Sequence, residues 1–279
     1  MSPSASAPAP APPQQQSDIA AHKSDIRARI WQQLRAVAYP DSRFDFDFSS
    51  FIADFAGSDG ATARLAALPA YRDASVVFIA PDNCLEQLRR DALRDGKTVL
   101  VTTYGIRRGF WLLDPRTMPA AGLSVEYAAT LDGMERAGRA VALSSVARLR
   151  VDLLVTGTGA INTAGVRFGK GHGYFDLEWA LLYSVGAVDA ATPAVALVHD
   201  CQVVPDDVTL VPDEFDTVVD FVVTPSTVVE VEDPQKPVVG ILWERLREGM
   251  VEGIPPLREL RALMEEQGCE TSVELRGRR

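Results

Sequence analysis

The sequence predicts a three-layer α/β protein, in which helices cover both faces of a mostly parallel β-sheet. Short β-branched runs alternate with helical segments along the chain, and the run 151–155 is apolar enough for a strand buried on both faces. This alternation is typical of parallel sheets, because each crossover between strands places a helix against the sheet. With 279 residues, the chain is long enough to bury a large core in one main domain.

The first predicted element is a helix over about 18–37. Ile26, Ile30 and Leu34 fall on one stripe at helical spacing, as expected for a helix that packs one face on a core. Ser17 stands before this pattern, and its hydroxyl suits the N-cap position.

The remaining elements follow in alternation. Strands are predicted at 76–79, 98–102, 151–155, 194–198 and 218–223, and helices at 85–95, 175–183 and 255–266. Residues 1–16 are almost entirely Pro, Ala, Ser and Gln, a composition that predicts a disordered leader. We therefore expect one domain over 17–270, followed by a frayed tail over 271–279.

Composition narrows the functional classes. The net charge of −10 argues against a protein that binds nucleic acid through its phosphates. Three widely spaced cysteines offer neither a disulfide framework nor a cysteine-based zinc site. The sequence lacks both a long apolar stretch and a secretory signal, so we expect a cytoplasmic protein without a membrane partner, either a monomer or a homodimer.

The segment Arg167–Asp176, which reads RFGKGHGYFD, is the strongest functional signal. It lies between a predicted strand and a predicted helix, where α/β sheets commonly bind ligands. Gly169, Gly171 and Gly173 have no Cβ atom, so a phosphate could approach the backbone N–H groups closely. The pattern favours a phosphate-binding loop over the alternative, a flexible surface turn.

Charged residues within this segment strengthen that interpretation. Lys170 and His172 alternate with the glycines, so in an extended loop both side chains would point the same way, and Arg167 adds a third potential cation. Asp176 lies near the start of the next helix. Its carboxylate could interact favourably with the helix dipole or bind Mg²⁺ beside phosphates, and its position alone leaves both roles open.

Four more side chains have two interpretations each. Tyr174 and Phe175 could pack in the core or form a stacking surface for a flat ring. Arg107 and Arg108 could meet an anionic substrate or lie in a solvated turn after a strand.

Lys23 and Arg27 are four residues apart on the first predicted helix and therefore share a face. Lys23 falls within the arc of the apolar stripe, where a lysine needs either room to reach solvent or an anionic partner. Together with the glycine-rich segment, this pair predicts a shared anionic ligand.

These residues resemble the motifs of 5-formyltetrahydrofolate cyclo-ligases. The matches occur in family order: Lys23 and Arg27 are similar to the KxxxR start, 151–155 with 165–176 to the DLxxxP…GxRLGRGxGYYD signature, and Gln202 with 216–224 to the closing Q…DxxxDxxxT segment.

The resemblance implies a fold of the NagB/RpiA/CoA-transferase type, with ATP, Mg²⁺ and a reduced folate as ligands. It implies an ATP-dependent ligase that converts 5-formyltetrahydrofolate to 5,10-methenyltetrahydrofolate. By position in the motifs, it assigns ATP binding to Lys23, Arg27, Gly169, Lys170, Gly171, His172 and Gly173, catalysis to Lys170, Arg167 and Tyr174, substrate binding to Tyr174 and Phe175, and Mg²⁺ binding to Asp176.

The sequence also departs from the family pattern. Lys170 replaces an arginine, His172 stands where a cation is often found, and Phe175 replaces a tyrosine. The acidic substrate-pocket motif of the family is not recognisable after the strand 76–79. The segments KSDIRARIW and GKGHGYFDLEWALL are similar to a divergent branch of the family. Two hypotheses follow: a cyclo-ligase or a related ATP-dependent enzyme, and a non-catalytic nucleotide- or folate-binding regulator.

Overall fold

The computed structural model describes residues 13–118, 122–205, 208 and 210–278. In this part of the chain the strands are β1 (Val76–Ile79), β2 (Thr98–Thr102), β3 (Phe110–Leu113), β4 (Arg139–Val141), β5 (Leu153–Thr156), β6 (Ala160–Ile161), β7 (Arg167–Phe168), β8 (Ala194–Leu197), β9 (Phe221–Val223) and β10 (Val228–Glu230). All five predicted strands are present, with bounds that differ from the prediction by at most a few residues.

Eight of these strands form one sheet in the order β10-β9-β8-β5-β1-β2-β3-β4. The central strands β9, β8, β5, β1 and β2 pair in parallel. Antiparallel strands β3, β4 and β10 extend the two edges, and the sequence analysis did not predict them. Every residue of β5 and β8 is buried, as expected for central strands covered on both faces.

The helices of the described residues are α1 (Pro13–Leu34), α2 (Ser58–Ala66), α3 (Pro69–Arg72), α4 (Glu86–Arg94), α5 (Val125–Ala129), α6 (Met134–Ala137), α7 (Leu143–Val146), α8 (Tyr174–Ser184), α9 (Met250–Gly253), α10 (Pro255–Gln267) and α11 (Ser272–Gly277). The helices α2, α4 and α5 form one packed group, in which α4 contacts both α2 and α5 and also packs against β1 and β2. A second group contains α7, α8, α10 and α11. The predicted three-layer, mostly parallel α/β architecture is confirmed.

Both ends of the described chain differ from the prediction. Helix α1 begins at Pro13, so the disordered leader is wrong for residues 13–16, and residues 1–12 lie outside the described residues. Ser17 is inside this helix and not its N-cap. A proline fits the first helical turn, where its missing N–H has no partner to lose, and glutamines propagate a helix well.

The predicted frayed tail is also wrong within the described residues. Thr271 and Glu274 form a reciprocal capping box at the start of α11, and Leu275 is buried. Together the cap and the buried leucine fix the end of the described chain against α8 and α10.

Helix α1 is important for the site because of where it packs. Ile26 and Ile30 share a small apolar cluster with Val166 and Phe168, which belong to the β6–β7 hairpin and its turn. The helix therefore lies directly beside the glycine-rich segment that follows β7. Among the described residues, no helix is long and apolar enough to cross a membrane.

Candidate functional site

A cavity of about 290 Å³ lies where α1, the glycine-rich segment and the carboxyl ends of β1 and β5 meet. Asp82 follows β1 by way of Ala80 and Pro81, Thr156 is the last residue of β5, and Gly157 comes directly after it. This edge is where parallel α/β sheets place their ligands, because the loops after adjacent strands open a crevice there.

The glycine-rich segment forms a turn over residues 169–173 that leads into α8. Gly171 and Gly173 have φ angles of 99° and 68°, in the left-handed region that favours glycine. Within the described residues, no backbone carbonyl accepts a hydrogen bond from the amides of this turn. Its N–H groups are thus available to an anion at the start of a helix.

The two cations predicted on α1 both line this cavity. Lys23 Nζ lies 2.5 Å from Asp216 Oδ2, and the two side chains are 15% and 8% exposed. The guanidinium of Arg27 lies 5.6 Å from the centre of the Phe168 ring and next to Gly171, where a Cβ atom would be 3.6 Å from its nearest nitrogen. Lys23 therefore has the anionic partner that its buried position requires, and that partner comes from the protein.

Arg167 and Asp176 form a buried ion pair beside the turn, with side chains 3% and 11% exposed. The Arg167 guanidinium also lies 4.4 Å from the centre of the Phe175 ring, and its buried Nε atom has no hydrogen-bond partner among the residues that the structure describes. Asp176 Oδ1 accepts the amide of Thr217 at 2.8 Å. Burial raises the pKa of Asp176, and the Arg167 charge opposes that shift.

Lys170 lies deeper in the cavity than the rest of the turn. Its Nζ is 3.3 Å from Tyr104 Oη, 3.4 Å from the carbonyl of Ser50 and 4.6 Å from the centre of the Tyr104 ring. Burial lowers the pKa of Lys170, while the charges of Asp82 and Glu178 oppose the shift. The lysine is thus a partly desolvated cation held near two carboxyl groups.

These two carboxyl groups, Asp82 and Glu178, were missed in the sequence analysis. Asp82 Oδ2 accepts the amide of Gly157 at 2.8 Å, and Glu178, only 2% exposed, accepts a hydrogen bond from the Thr102 hydroxyl. Burial is the main reason that the pKa of Glu178 is raised to about 8.

Both residues could have been found from their positions. Asp82 follows the carboxyl end of a predicted strand, and Glu178 is one helical turn after Tyr174, on the same face of α8. Asp82 thus places a carboxylate after β1, at the position where the sequence analysis recognised no acidic motif.

The predicted ring-binding residues behave differently from each other. Tyr174 lines the cavity and stacks on His172, with ring centroids 5.5 Å apart and planes inclined by 9°. Phe175 is 6% exposed and packs against Phe78 and beneath Arg167, so most of its surface is core. Burial, with help from Arg247 and other nearby cations, lowers the pKa of His172, which keeps it neutral at pH 7.

An acidic arm over residues 213–216 closes one side of the cavity. The Asp213 amide donates to Asp216 Oδ2 at 2.8 Å, and Arg245 lies 2.9 Å from Asp213 Oδ2 and 3.6 Å from Glu214 Oε1. Arg107 and Arg108, which the sequence analysis considered for an anionic substrate, are exposed and are not among the residues that line the described cavity. Arg108 pairs with Glu135.

Comparison with known proteins identifies a family model and several relatives that are similar to this chain. The model of the 5-formyltetrahydrofolate cyclo-ligase family matches residues 19–225. A methenyltetrahydrofolate synthase domain-containing protein of Homo sapiens is 35% identical over 258 residues, which cover 92% of this chain and 66% of the relative. The corresponding Bos taurus protein is 34% identical over 253 residues, which cover 90% of this chain and 65% of that protein. The chain thus spans slightly less than two thirds of the length of these relatives.

A solved structure is also similar. The NMR structure of Aquifex aeolicus 5,10-methenyltetrahydrofolate synthetase matches with a TM-score of 0.45 and 20% identity, over 77% of this chain and 95% of that one.

Proposed function

The chain belongs to the 5-formyltetrahydrofolate cyclo-ligase family, and from that premise we propose that it is an ATP- and Mg²⁺-dependent ligase that converts 5-formyltetrahydrofolate to 5,10-methenyltetrahydrofolate. One observation carries the proposal. The 169–173 turn, whose amides have no backbone partner in the described part of the chain, lines the same cavity as Lys23, Arg27 and Arg167, and Lys170 belongs to the turn itself. Amides and cations that converge on one concavity suit a polyphosphate.

The proposed reaction begins with transfer of a phosphoryl group from ATP to the formyl oxygen of the folate. Attack by N10 of the folate and loss of phosphate then close the ring. Little covalent chemistry falls to the protein, which must position the reactants and stabilise negative charge on the transferred group. Lys170 and Arg167 are suited to that task because Lys170 is a half-buried cation and Arg167 a buried one, and among the described residues Arg167 Nε is a buried donor without a hydrogen-bond partner.

The residues present fit a magnesium ion. Asp176 and Asp216 both line the cavity beside the turn, and the charge of Asp216 contributes to the raised pKa of Asp176. Two neighbouring carboxylates next to a polyphosphate site match the way Mg²⁺ is usually held, through one or two carboxylates and phosphate oxygens. Bound there, the ion would neutralise phosphate charge, and Asp176 and Asp216 would hold it.

The folate would occupy the part of the cavity bordered by Tyr174 and Tyr104. Tyr174 offers an aromatic ring, and its hydroxyl oxygen would be only 3.3 Å from a Cβ atom at Gly105. Even a small side chain at Gly105 would therefore narrow this part of the cavity. Asp82 and Glu178 supply the acidic groups of the pocket.

A second candidate function is a non-catalytic nucleotide- or folate-binding regulator. It is supported by the local charge balance, because Asp216 neutralises Lys23, Asp176 neutralises Arg167, and His172 is neutral. Such a site could bind ligand without promoting phosphoryl transfer.

One experiment separates the two functions. The purified full chain is incubated with ATP, Mg²⁺ and 5-formyltetrahydrofolate, while the absorbance of the methenyl product and the release of ADP are followed together. We expect both products in equal amounts, and a fall of about 100-fold or more for Lys170→Ala, which removes a cation placed to stabilise the transferred group. Asp73→Asn, at an exposed position remote from the cavity lining, is the control.

The outcomes are distinct. Calorimetric binding of ATP or folate without ADP release would reject the ligase and support the regulator. ADP release that does not depend on folate would point to another substrate for the same site.

A further inference from the structure

The residues that follow the family-matched region build a second cavity against the glycine turn. This cavity, of about 240 Å³, is lined on one side by Gly171, His172 and Gly173 and on the other by residues between Gly240 and Met250. The family model ends at residue 225, so the second wall comes from outside the matched region. The turn is shared by both cavities, and it is contacted from both sides.

The cations around this turn fall into two groups. Lys23, Arg167 and Arg245 each form an ion pair with a carboxylate: Asp216, Asp176 and Asp213, respectively. Arg27 and Arg247 pair with no carboxylate among the residues that the structure describes. Arg27 and Arg247 are thus the guanidinium groups near the turn whose charge is not already balanced by a salt bridge.

These two arginines flank the same backbone. Arg247 Nη2 donates to the carbonyl oxygen of His172 at 3.0 Å, which fixes the guanidinium beside the turn. Arg27 lies next to Gly171, 3.6 Å from the place where a Cβ atom would be. Both charges contribute to the lowered pKa of His172, as expected if both lie close to its ring.

We propose that Arg247 is a further phosphate-binding residue of this site, acting together with Arg27 across the Gly171–Gly173 turn. The inference rests on the proposed function in that its ligand is the polyphosphate of ATP. An arginine suits the role because its planar guanidinium can donate to two phosphate oxygens at once. Arg247 thereby supplies, from outside the family-matched region, the positive charge that neutral His172 does not provide.

Arg247 could instead act only as a brace that holds the turn in place. Two substitutions separate these roles. Arg247→Gln keeps a side-chain donor for the His172 carbonyl and loses the charge, whereas Arg247→Lys keeps the charge and loses the planar fork. Arg258→Gln is the matched control, because Arg258 is also an exposed arginine near the end of the chain that donates to main-chain carbonyls, those of Val251 and Glu252.

The experiment is calorimetric titration of the full chain, and of each variant, with Mg²⁺–ATP, adenosine and inorganic tripolyphosphate at two salt concentrations. We expect Arg247→Gln to weaken binding of ATP and of tripolyphosphate by about tenfold, with a shallower salt dependence. Arg247→Lys should weaken binding less than Arg247→Gln, and Arg258→Gln should bind like the unmodified chain. Adenosine binding should be the same in all variants.

The proposal is overturned if Arg247→Gln binds ATP and tripolyphosphate as tightly as the unmodified chain, or if Arg247→Lys and Arg247→Gln lose equal affinity with unchanged salt dependence. It is also overturned if the unmodified chain binds neither polyphosphate. If tripolyphosphate and ATP bind through Arg247 while no methenyl product forms, the phosphate-binding role of Arg247 stands and the ligase function fails.

Discussion

The two ends of the main cavity handle charge in opposite ways. At the turn end, Lys23 and Arg167 are each paired with a carboxylate, and no described backbone carbonyl accepts a hydrogen bond from the amides of the 169–173 turn. At the deep end, Lys170, Asp82 and Glu178 form no salt bridge within 4.0 Å in the described residues, and burial shifts the pKa of all three. Charge at the turn end is thus balanced by salt bridges, whereas at the deep end burial raises the pKa of both carboxyl groups and lowers the pKa of the lysine.

This difference indicates how each end would respond to a ligand. An anion at the turn end must compete with Asp216 and Asp176 for their cations, so its binding exchanges one set of partners for another. A ligand at the deep end instead meets groups whose proton content depends on pH. Substitutions that remove one partner at each end can test this contrast.

The largest effect is expected from Asp176→Asn at the turn end. This change leaves Arg167, only 3% exposed, without a neutralising carboxylate, and breaking a buried pair from one side typically costs about 3–5 kcal/mol. We expect a loss of unfolding free energy of that order, measured by urea denaturation. An effect no larger than that of the exposed control Asp73→Asn would contradict a tight, buried pair.

The effect expected from Glu178→Gln at the deep end is smaller per pH unit, because it is spread over several pH units. Because the pKa of Glu178 is raised to about 8 in the folded protein, the folded state retains a proton that the unfolded chain releases near its ordinary value of 4.5. The unfolding free energy of the unmodified protein should therefore fall as the pH rises from about 4.5 to 8, by up to about 1.4 kcal/mol per pH unit from this group.

Glutamine keeps the acceptor for Thr102 and does not titrate, so the stability of Glu178→Gln relative to the unmodified protein should increase across that range. Thermal melts between pH 5 and pH 9 measure the difference. Glu265→Gln, at an exposed position on α10, is the control. A constant difference between the two proteins at every pH would show that Glu178 is ionised throughout.

The smallest effect is expected from Tyr104→Phe, which removes one oxygen near Lys170 and keeps the aromatic ring below it. The contact is long, at 3.3 Å, so its loss should lower the unfolding free energy by about 0.5–1 kcal/mol and reduce ADP release only a few-fold. A reduction as large as that of Lys170→Ala would mean that the hydroxyl, and not the ring, sets the position of the lysine.

The parts of the fold that the sequence predicted are those with a local signal. Apolar runs at 151–155 and 194–198 predict buried central strands, and the alternation of strand and helix predicts the parallel sheet. The edge strands β3, β4 and β10 are only three or four residues long and partly exposed, so their side-chain pattern is too short to predict a strand, even though β3 and β10 pair with strands close by in the sequence.

The candidate site was predictable to the extent that it lies in one segment. The glycine-rich turn and the Lys23–Arg27 pair could be recognised, and the structure brings them to one cavity. The residues of the protein that pair with this site could not be recognised from the sequence. Asp216 is 193 positions from its partner Lys23, and Arg247 is 75 positions from its partner His172. Spacing rules describe neighbours on one helix or strand, so contacts over such distances are outside their scope.

The contact between Lys23 and Asp216 has a consequence for how this molecule forms during synthesis. Helix α1 leaves the ribosome before its charged partner, which becomes available only after almost two hundred further residues have been made. Closing so long a loop is slow and entropically costly, so the site belongs among the last contacts to assemble. Until then Lys23 lacks its carboxylate partner Asp216, and the candidate site is incomplete.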